Sequence, residues 1–460
     1  MENQEIDKYI YGLKYDPRVL LSVPGENETV SIPLKSKTRT GVIICTSKKQ
    51  EVNNSVKELT ILSPSAGTIY PGALIGGDEQ LALGKPKSLS VKRAPISVST
   101  DLPGSGSVLV ESPAYASVKS AVEALVADWL KKKEAGKIDH TARLSYIVTK
   151  AYSKGQLWSK LGLRSEWANN EIQNSLEVTN NQSQSTAVAL FKQVFFTATY
   201  DIPDSPSAIF DNTVTVENLK NTMSETCPPA YVKSVDFGRI ILVRMTTSSN
   251  ETKTDMENTL KMVTGQGAKI DAEAKNRYSK ISENSSFEVL ILGGGAKISS
   301  KIFSGVNEIE EIKPLIISGI QLNEDNPGYP VSYTVNYLKD NALATMNLTS
   351  TYYETECVQY YDGFVKVHND SACVANFQVT WDELKDDGTK AAHSYNSKDR
   401  NKGFQETIHL PGDATNIRII GKAAKFIKTW QTVIDTILQG PTCKTYTIKG
   451  SAFKLTQKIE

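Results

Sequence analysis

Residues 287–299, FEVLILGGGAKIS, run a branched apolar stretch straight into three glycines. Residues 289–292 favour a strand covered on both faces, so the chain must build a sheet between two layers. Gly293, Gly294 and Gly295 weaken the strand they end, because each loses more conformational freedom on ordering and packs no side chain. Such a run suits a bulge or bend in the sheet. It does not encode a phosphate cradle, since no third glycine falls at the G-x-G-x-x-G offset. Residues 77–86, GDEQLALGKP, are too long for a P-loop and place Pro86 where the Mg²⁺-binding hydroxyl would stand.

The 460 residues, 39% hydrophobic and 22% charged, describe a soluble globular chain of roughly two to four domains. Net charge is +1, so no bulk field steers it to nucleic acid or to anionic lipid. No apolar run is long enough for a membrane-spanning helix. The N-terminus, MENQEIDKYI, has no signal h-region, which fits a cytosolic protein or a mature form whose signal has been removed.

Enzyme chemistry is not written in the motifs. Cys45, Cys227, Cys357, Cys373 and Cys443 show no C-x-x-C or metal-ligand spacing, and His140, His368, His393 and His409 are scattered. There is no G-x-S-x-G elbow and no H-E-x-x-H. Residues 382–390, DELKDDGTK, put Leu384 at an EF-hand ligand position and read as a hairpin turn at Asp387-Gly388. No cofactor or metal is implied, and binding or structural work is favoured over catalysis.

Residues 27–110 look β-rich, with turns at 70–73 and 101–104. Val118, Val122, Leu125 and Trp129 repeat at helical spacing, predicting a helix over 115–133 whose tail, Lys131 to Lys133, is a solvated end favoured by the dipole. Strands are expected at 231–246 and 287–292. Residues 362–460 read as an all-β unit: Cys373, Ala375, Phe377, Val379 and Trp381 alternate with Asn376, Gln378 and Thr380, as in a half-buried sandwich strand. Two segments are ambiguous. Residues 170–201 have a polar middle and an alternating second half interrupted by Lys192, and 255–286 fit two helices. Both read as surface helix pairs on a sheet.

Six blocks carry a resemblance: TIYPGAL (68–74), VKRAPISVSTDLPG (91–104), PPAYVKSVDFGR (228–239), ENSSFEVLILGG (283–294), NPGYPVSYTVNYLKDNALAT (326–345) and ACVANFQVTWDEL (372–384). In their order and spacing the chain resembles the cholesterol-dependent, or thiol-activated, cytolysins. The resemblance implies an α+β, elongated, multi-domain fold with a bent antiparallel sheet flanked by two helical clusters and a C-terminal β-sandwich. It implies a discontinuous first domain (1–17, 54–143, 194–237, 321–344) and a β-ribbon second domain (18–53, 345–361). A pore-forming third domain (144–193, 238–320) and the sandwich (362–460) complete it. The implied function is that of a secreted bacterial pore-forming toxin without catalysis. Soluble monomers assemble with themselves into a ring on a target membrane, and both helical clusters, at 170–201 and 255–286, become transmembrane hairpins.

By the same resemblance Gly293 and Gly294 are a hinge at the bend, where a sweep in φ and ψ cannot tolerate a Cβ; a static bulge is the alternative. Tyr146 and Phe287 match aromatics stacked between neighbouring subunits, though as residues alone they read as core. Lys192 departs from a clean lipid face. Cys357 and Cys373, separated by an expected hairpin at Asp362-Gly363, are candidates for a cross-strand disulfide.

The departures from the family pattern are equally specific. The Cys- and Trp-rich loop is replaced by 421–437, GKAAKFIKTWQTVIDTI. There Phe426, Trp430, Val433 and Ile437 repeat at helical spacing beside Lys422, Lys425 and Lys428. The segment is either an amphipathic element lying on a membrane, with Phe426 and Trp430 at its tip, or a helix packed on the sandwich. The Thr-Leu cholesterol pair is replaced by Ala452-Phe453, so membrane binding is expected not to depend on cholesterol. Val148 replaces a family acid, removing a salt bridge between subunits. These changes also suit an accessory subunit that joins a second, related cytolysin-like subunit and does not insert alone.

Overall fold

The computed structural model of the chain describes residues 2–22, 33–63, 67–136, 140–181, 184–249, 251–266, 271–293, 299–304, 306–317, 319–426 and 429–460. They form two compact units, residues 1–29 with 49–354, and residues 30–48 with 355–460. The β structure opens with β1 (Lys35–Lys37) and β2 (Gly41–Val56). A ten-stranded sheet follows: β3 (Leu59–Thr60), β4 (Leu74–Gly76), β5 (Ile96–Thr100), β6 (Ser107–Val110), β7 (Arg143–Ala151), β8 (Ser185–Tyr200), β9 (Pro229–Thr247), β10 (Ser285–Gly293), β11 (Ser299–Ser304) and β12 (Tyr329–Tyr337). Then β13 (Met346–Tyr361) returns to form a three-stranded sheet ordered β1-β2-β13.

Strands β8 and β9 are the spine of the large sheet. They pair antiparallel from Ser185 opposite Thr247 to Thr199 opposite Ser234, with a bulge at Phe195. Their other neighbours change half-way. Residues 239–247 of β9 pair with β10, whereas 230–238 pair with β12. Likewise β8 pairs with β7 over 186–194 and with β5 over 198–200. Two half-sheets therefore share one pair of strands and meet at Gly238, Arg239 and the Phe195 bulge. A bulge raises local twist and re-aims the strand, which suits that position.

Period-two alternation gives the lower half two buried faces. Val188, Leu190, Leu242 and Leu290 share one core with Leu157, Trp158, Leu161 and Ile172 from the helices Lys154–Leu161 and Asn170–Ser175. Ala189, Phe191, Val243 and Val289 point to the other, against Met256, Leu260 and Val263 of the Lys253–Val263 helix. Ser153, Asn169, Thr252 and Asp271 cap these helices through side-chain oxygens on backbone N–H groups, each cap contributing about 1 kcal/mol. The reading of 170–201 as a surface helix pair is corrected here. Only 170–175 is helical, and 185–200 is a central strand, since a segment covered on both faces needs no polar side. The helix pair expected within 255–286 is present, as Lys253–Val263 and Ala272–Glu283. The predicted helix over 115–133 spans Tyr115–Glu134, but its tail is not simply solvated: Lys133 donates to the Leu322 carbonyl at 3.2 Å.

The remaining strands are β14 (Gly363–Ser371), β15 (Ala375–Leu384), β16 (Lys390–Arg400), β17 (Gln405–Leu410), β18 (Thr415–Phe426), β19 (Thr429–Leu438), β20 (Cys443–Ser451) and β21 (Lys454–Ile459). They make a sandwich of two sheets, β17-β14-β20-β21 and β16-β15-β18-β19. Ala375, Phe377 and Val379 are fully buried against Val365, Val367 and Ile448, as the alternation requires. The turn between β15 and β16 falls at Asp387-Gly388, with φ +82° at the glycine. The helical periodicity of 421–437 misleads: the segment forms β18 and β19, paired from Ile417 opposite Leu438 to Phe426 opposite Thr429.

Candidate functional site

The half-sheet changeover concentrates backbone contacts that only glycine permits. Gly293 ends β10 at φ +84°, and a Cβ there would stand 2.8 Å from the Gly238 carbonyl oxygen. At Gly238 a Cβ would meet the Gln193 carbonyl oxygen at 1.8 Å. Sequence reasoning found Gly293 and missed Gly238, whose signal was a lone glycine inside the strand pattern VDFGRIILV. Gly294 and Gly295 lie outside the described residues.

Beside these glycines a buried polar group clamps the Ile312–Ile317 helix, which shares a core with the Lys253–Val263 helix. The Gln193 amide nitrogen donates to the Ile316 carbonyl at 2.6 Å, and the Arg239 guanidinium donates to the Gln193 side-chain oxygen. Arg239 also reaches the Leu315 and Ile316 carbonyls at 3.2 Å each. These carbonyls belong to the Ile312–Ile317 helix, whose C-terminal acceptors have no partner within the helix. The segment joining β7 to β8 has its own clamp. Glu288 of β10 accepts from the Ser175 hydroxyl and from Arg244, each at 2.6 Å, while Arg244 donates to the Glu177 carbonyl at 3.2 Å.

A third polar group crosses the upper side of the changeover. Ser332 donates to Asp236 at 2.9 Å and also meets Glu58, which is ion-paired with Lys192; Thr197 donates to Asp236 at 2.5 Å. Burial pushes the Asp236 carboxyl up to about 6, with the neighbouring Glu58 adding to the rise. Burial also pushes Glu58 upward, but its bond to Asp236 and the Lys192 ammonium outweigh that and hold it at about 2. The pair therefore shares a proton in the mildly acidic range. In this form Lys192 lies in the sheet as the partner of Glu58.

Tyr146 and Phe287 lie on opposite sides of β8 and β9. Tyr146 is 42% exposed on β7 and stacks on Phe191 at 5.9 Å. Phe287 is fully buried on β10, opposite Phe303 of β11. Among the described residues the outer edge of β7 pairs with no strand, while β11 covers the matching edge of β10. Val148 packs against the core.

The expected Cys357–Cys373 bridge is corrected. Cys357 is bonded to Cys45, joining β13 to β2, and Cys373 is free. There is no hairpin at Asp362-Gly363: β13 belongs to the three-stranded sheet and β14 to the sandwich, so Cys357 is carried away from Cys373. In the sandwich, Trp430 is 42% exposed and stands opposite Ala424, Ile437 is exposed, and Phe453 at the β20–β21 turn is 86% exposed. Phe426 ends β18; its side chain lies outside the described residues, as does Lys428. Among the described residues no group of three or more His, Cys, Asp or Glu could hold a metal, and no helix is long and apolar enough to cross a membrane.

Comparison with known proteins covers nearly the whole chain. Residues 5–360 match the family described as thiol-activated cytolysin, and residues 364–456 match its beta sandwich domain. Seeligeriolysin of Listeria seeligeri is 34% identical over 451 residues, spanning 94% of this chain and 83% of that protein. Tetanolysin of Clostridium tetani is 32% identical over 446 residues, with the same coverage. The crystal structure of listeriolysin O superposes with a TM-score of 0.84 at 29% identity, covering 100% of this chain and 96% of that one.

Proposed function

The chain belongs to the thiol-activated cytolysin family, and from that premise we propose that it is a pore-forming toxin that acts without catalysis. Secreted as a soluble monomer, it assembles with copies of itself into a ring on a target membrane and inserts two β-hairpins per subunit into a barrel. The observation that carries this reading is the placement of the helical clusters. Residues 152–184 join β7 to β8, and residues 248–284 join β9 to β10; each pair is adjacent and antiparallel. Extending both strands of a pair into its cluster makes a hairpin with no change of strand order. A spanning β-strand needs about 9–11 residues, so both segments are long enough for two. The first hairpin is thus drawn from 152–184, N-terminal to most of the 170–201 window.

The edges support assembly. Displacing β11 bares Phe287 and the backbone of β10, and the unpaired β7 of a neighbouring copy, carrying Tyr146, can add to it. Aromatic pairs contribute about 0.5–1.5 kcal/mol beyond burial and would set the register. Cholesterol independence follows from Ala452-Phe453 and from the loop at 421–437, which lacks cysteine.

The test is dye release from vesicles with and without cholesterol, together with electron microscopy of the same samples. Rings with release from cholesterol-free vesicles are expected. Rings that release no dye from any vesicle would make the protein an accessory subunit instead, and release only with cholesterol would remove the lipid part of the proposal.

A further inference from the structure

The sandwich is polarised in charge along its strands, although the chain as a whole carries only +1. Strand register brings four connections to one end. Ala375 pairs with both Ala423 and Arg400, His368 with Gln405, and Ser371 with Gly450. Backbone bonds carry the pairing within each sheet past the strand ends there, from the Ala424 N–H to the Val374 carbonyl at 2.9 Å and from the Ala372 N–H to the Gly450 carbonyl at 2.8 Å. Asn369, fully buried, completes the end by donating to the Cys373 and Arg400 carbonyls at 2.9 and 3.0 Å.

The described residues of that end (371–376, 398–405, 422–426, 429–431 and 449–455) include Lys398, Arg400, Lys402, Lys422, Lys425 and Lys454. Against them stands the single carboxylate Asp399. Lys449 adds a seventh cation and Asp370, facing it at 3.9 Å, a second carboxylate; Glu406 is the next acid below. The opposite end is richer in acids, with Asp362, Asp382, Glu383, Asp386, Asp387 and Asp413 against Lys385, Lys390 and Lys444, and with Lys35 paired to Glu383 and Asp413. Among the basic residues project Phe453, Trp430 and Val374, at 86%, 42% and 37% exposure. Apolar and aromatic side chains ringed by lysines are what an interfacial site presents: rings enter the headgroup boundary while the cations meet lipid phosphates and carboxylates.

We propose that this end of the sandwich is a binding site for an anionic lipid surface, recognised by charge and by insertion of Phe453 and Trp430. The proposal rests on the pore-forming reading only for its purpose, and it names the lipid class at the membrane-facing end. Net charge hid the site because cations and anions cancel over the chain while strand topology gathers seven of the cations at one end of the sandwich.

The experiment is vesicle flotation with the full chain, using phosphatidylcholine alone, phosphatidylcholine with phosphatidylserine, and phosphatidylcholine with cholesterol, each at low and high ionic strength. Binding is expected only to the phosphatidylserine vesicles, and to fall with salt. Each lysine near an anionic surface is worth about a fivefold change in affinity. A Lys402→Gln, Lys422→Gln, Lys454→Gln variant should therefore bind roughly a hundredfold more weakly with an unchanged thermal melt. Phe453→Ser should weaken binding while leaving its salt dependence in place. Equal binding to neutral vesicles, or undiminished binding by the triple variant, overturns the proposal. So does tight binding of a short single-stranded DNA with no binding to phosphatidylserine. Dye release is read separately: charge-dependent binding without leakage at any lipid composition supports this site and counts against the pore-forming reading. Leakage from neutral vesicles does the opposite.

Discussion

Gly293 and Gly238 meet through the space a side chain would fill: a Cβ on Gly293, at φ +84°, would lie 2.8 Å from the Gly238 carbonyl oxygen. An L residue in the left-handed region loses about 1–2 kcal/mol, before any cost of that contact. Gly293→Ala should therefore destabilise the soluble protein by about 1–3 kcal/mol, read from a denaturant or thermal melt. If β10 runs extended in the inserted form, the penalty falls on the soluble state alone and alanine should speed dye release. An alanine variant that melts normally and releases dye more slowly would place the moving joint elsewhere.

Gln193 answers two groups at once, the Ile316 carbonyl and the Arg239 guanidinium. Removing it takes one donor from the Ile316 carbonyl and one acceptor from the buried Arg239 guanidinium, which still reaches the Leu315 and Ile316 carbonyls. Gln193→Ala should lower global stability by about 1–3 kcal/mol and raise amide exchange selectively in the Ile312–Ile317 helix. Ser175→Ala should loosen the Asn170–Ser175 helix and leave Ile312–Ile317 protected. Uniform exchange changes in both variants would show that the clamps do not act on separate helices.

The Cys45–Cys357 disulfide spans 312 residues of sequence. Reduction should raise the intact mass by about 2 Da, and Cys45→Ser should abolish that shift while costing about 2–5 kcal/mol. Cys373→Ser should leave the mass shift intact. Activity should need no reducing agent, because the free cysteines Cys227, Cys373 and Cys443 occupy no position the proposed mechanism uses.

What was legible in the sequence was local. Residues 289–292 and the alternation of Ala375, Phe377 and Val379 showed their strands because period and burial agree there. The segment 185–200 did not, because its alternation was interrupted by Lys192 and followed a polar, loop-like stretch, so that the whole window read as surface helices. Residues 421–437 failed in the opposite way. Phe426, Trp430, Val433 and Ile437 recur at helical spacing by coincidence, across a hairpin that pairs Ala424 with Trp430. The clamps at Gln193, Arg239 and Glu288 were invisible, since each joins residues distant in sequence. Cys357 was paired with the wrong partner because the strand beside it, β2, starts more than 300 residues earlier.

Asp236 and Glu58 make stability depend on pH in a defined direction. The Asp236 carboxyl titrates near 6 in the folded chain, above its usual 3.8. A group raised on folding stabilises while it is protonated and loses that contribution as pH rises through its folded value. Glu58, held near 2, acts oppositely, but its effect is lost only on acidification below about 4.5. Between pH 5 and 7.5 the Asp236 contribution therefore governs this pair, and its side chain is only 14% exposed. Of the roughly 3 kcal/mol that separates the two values, lost between about pH 4 and just above 6, about half is left to lose above pH 5. Thermal melts should show the soluble form losing stability across that interval, and Asp236→Asn, which keeps the shape without the ionisation, should flatten the profile. Ionising both carboxylates sets them against each other around Ser332, at the changeover between half-sheets, so dye release should quicken in the same interval in the wild type and not in the variant. A wild-type profile that is flat from pH 5 to 7.5, or a slope that survives Asp236→Asn, would show that the shared proton does not lie at this pair.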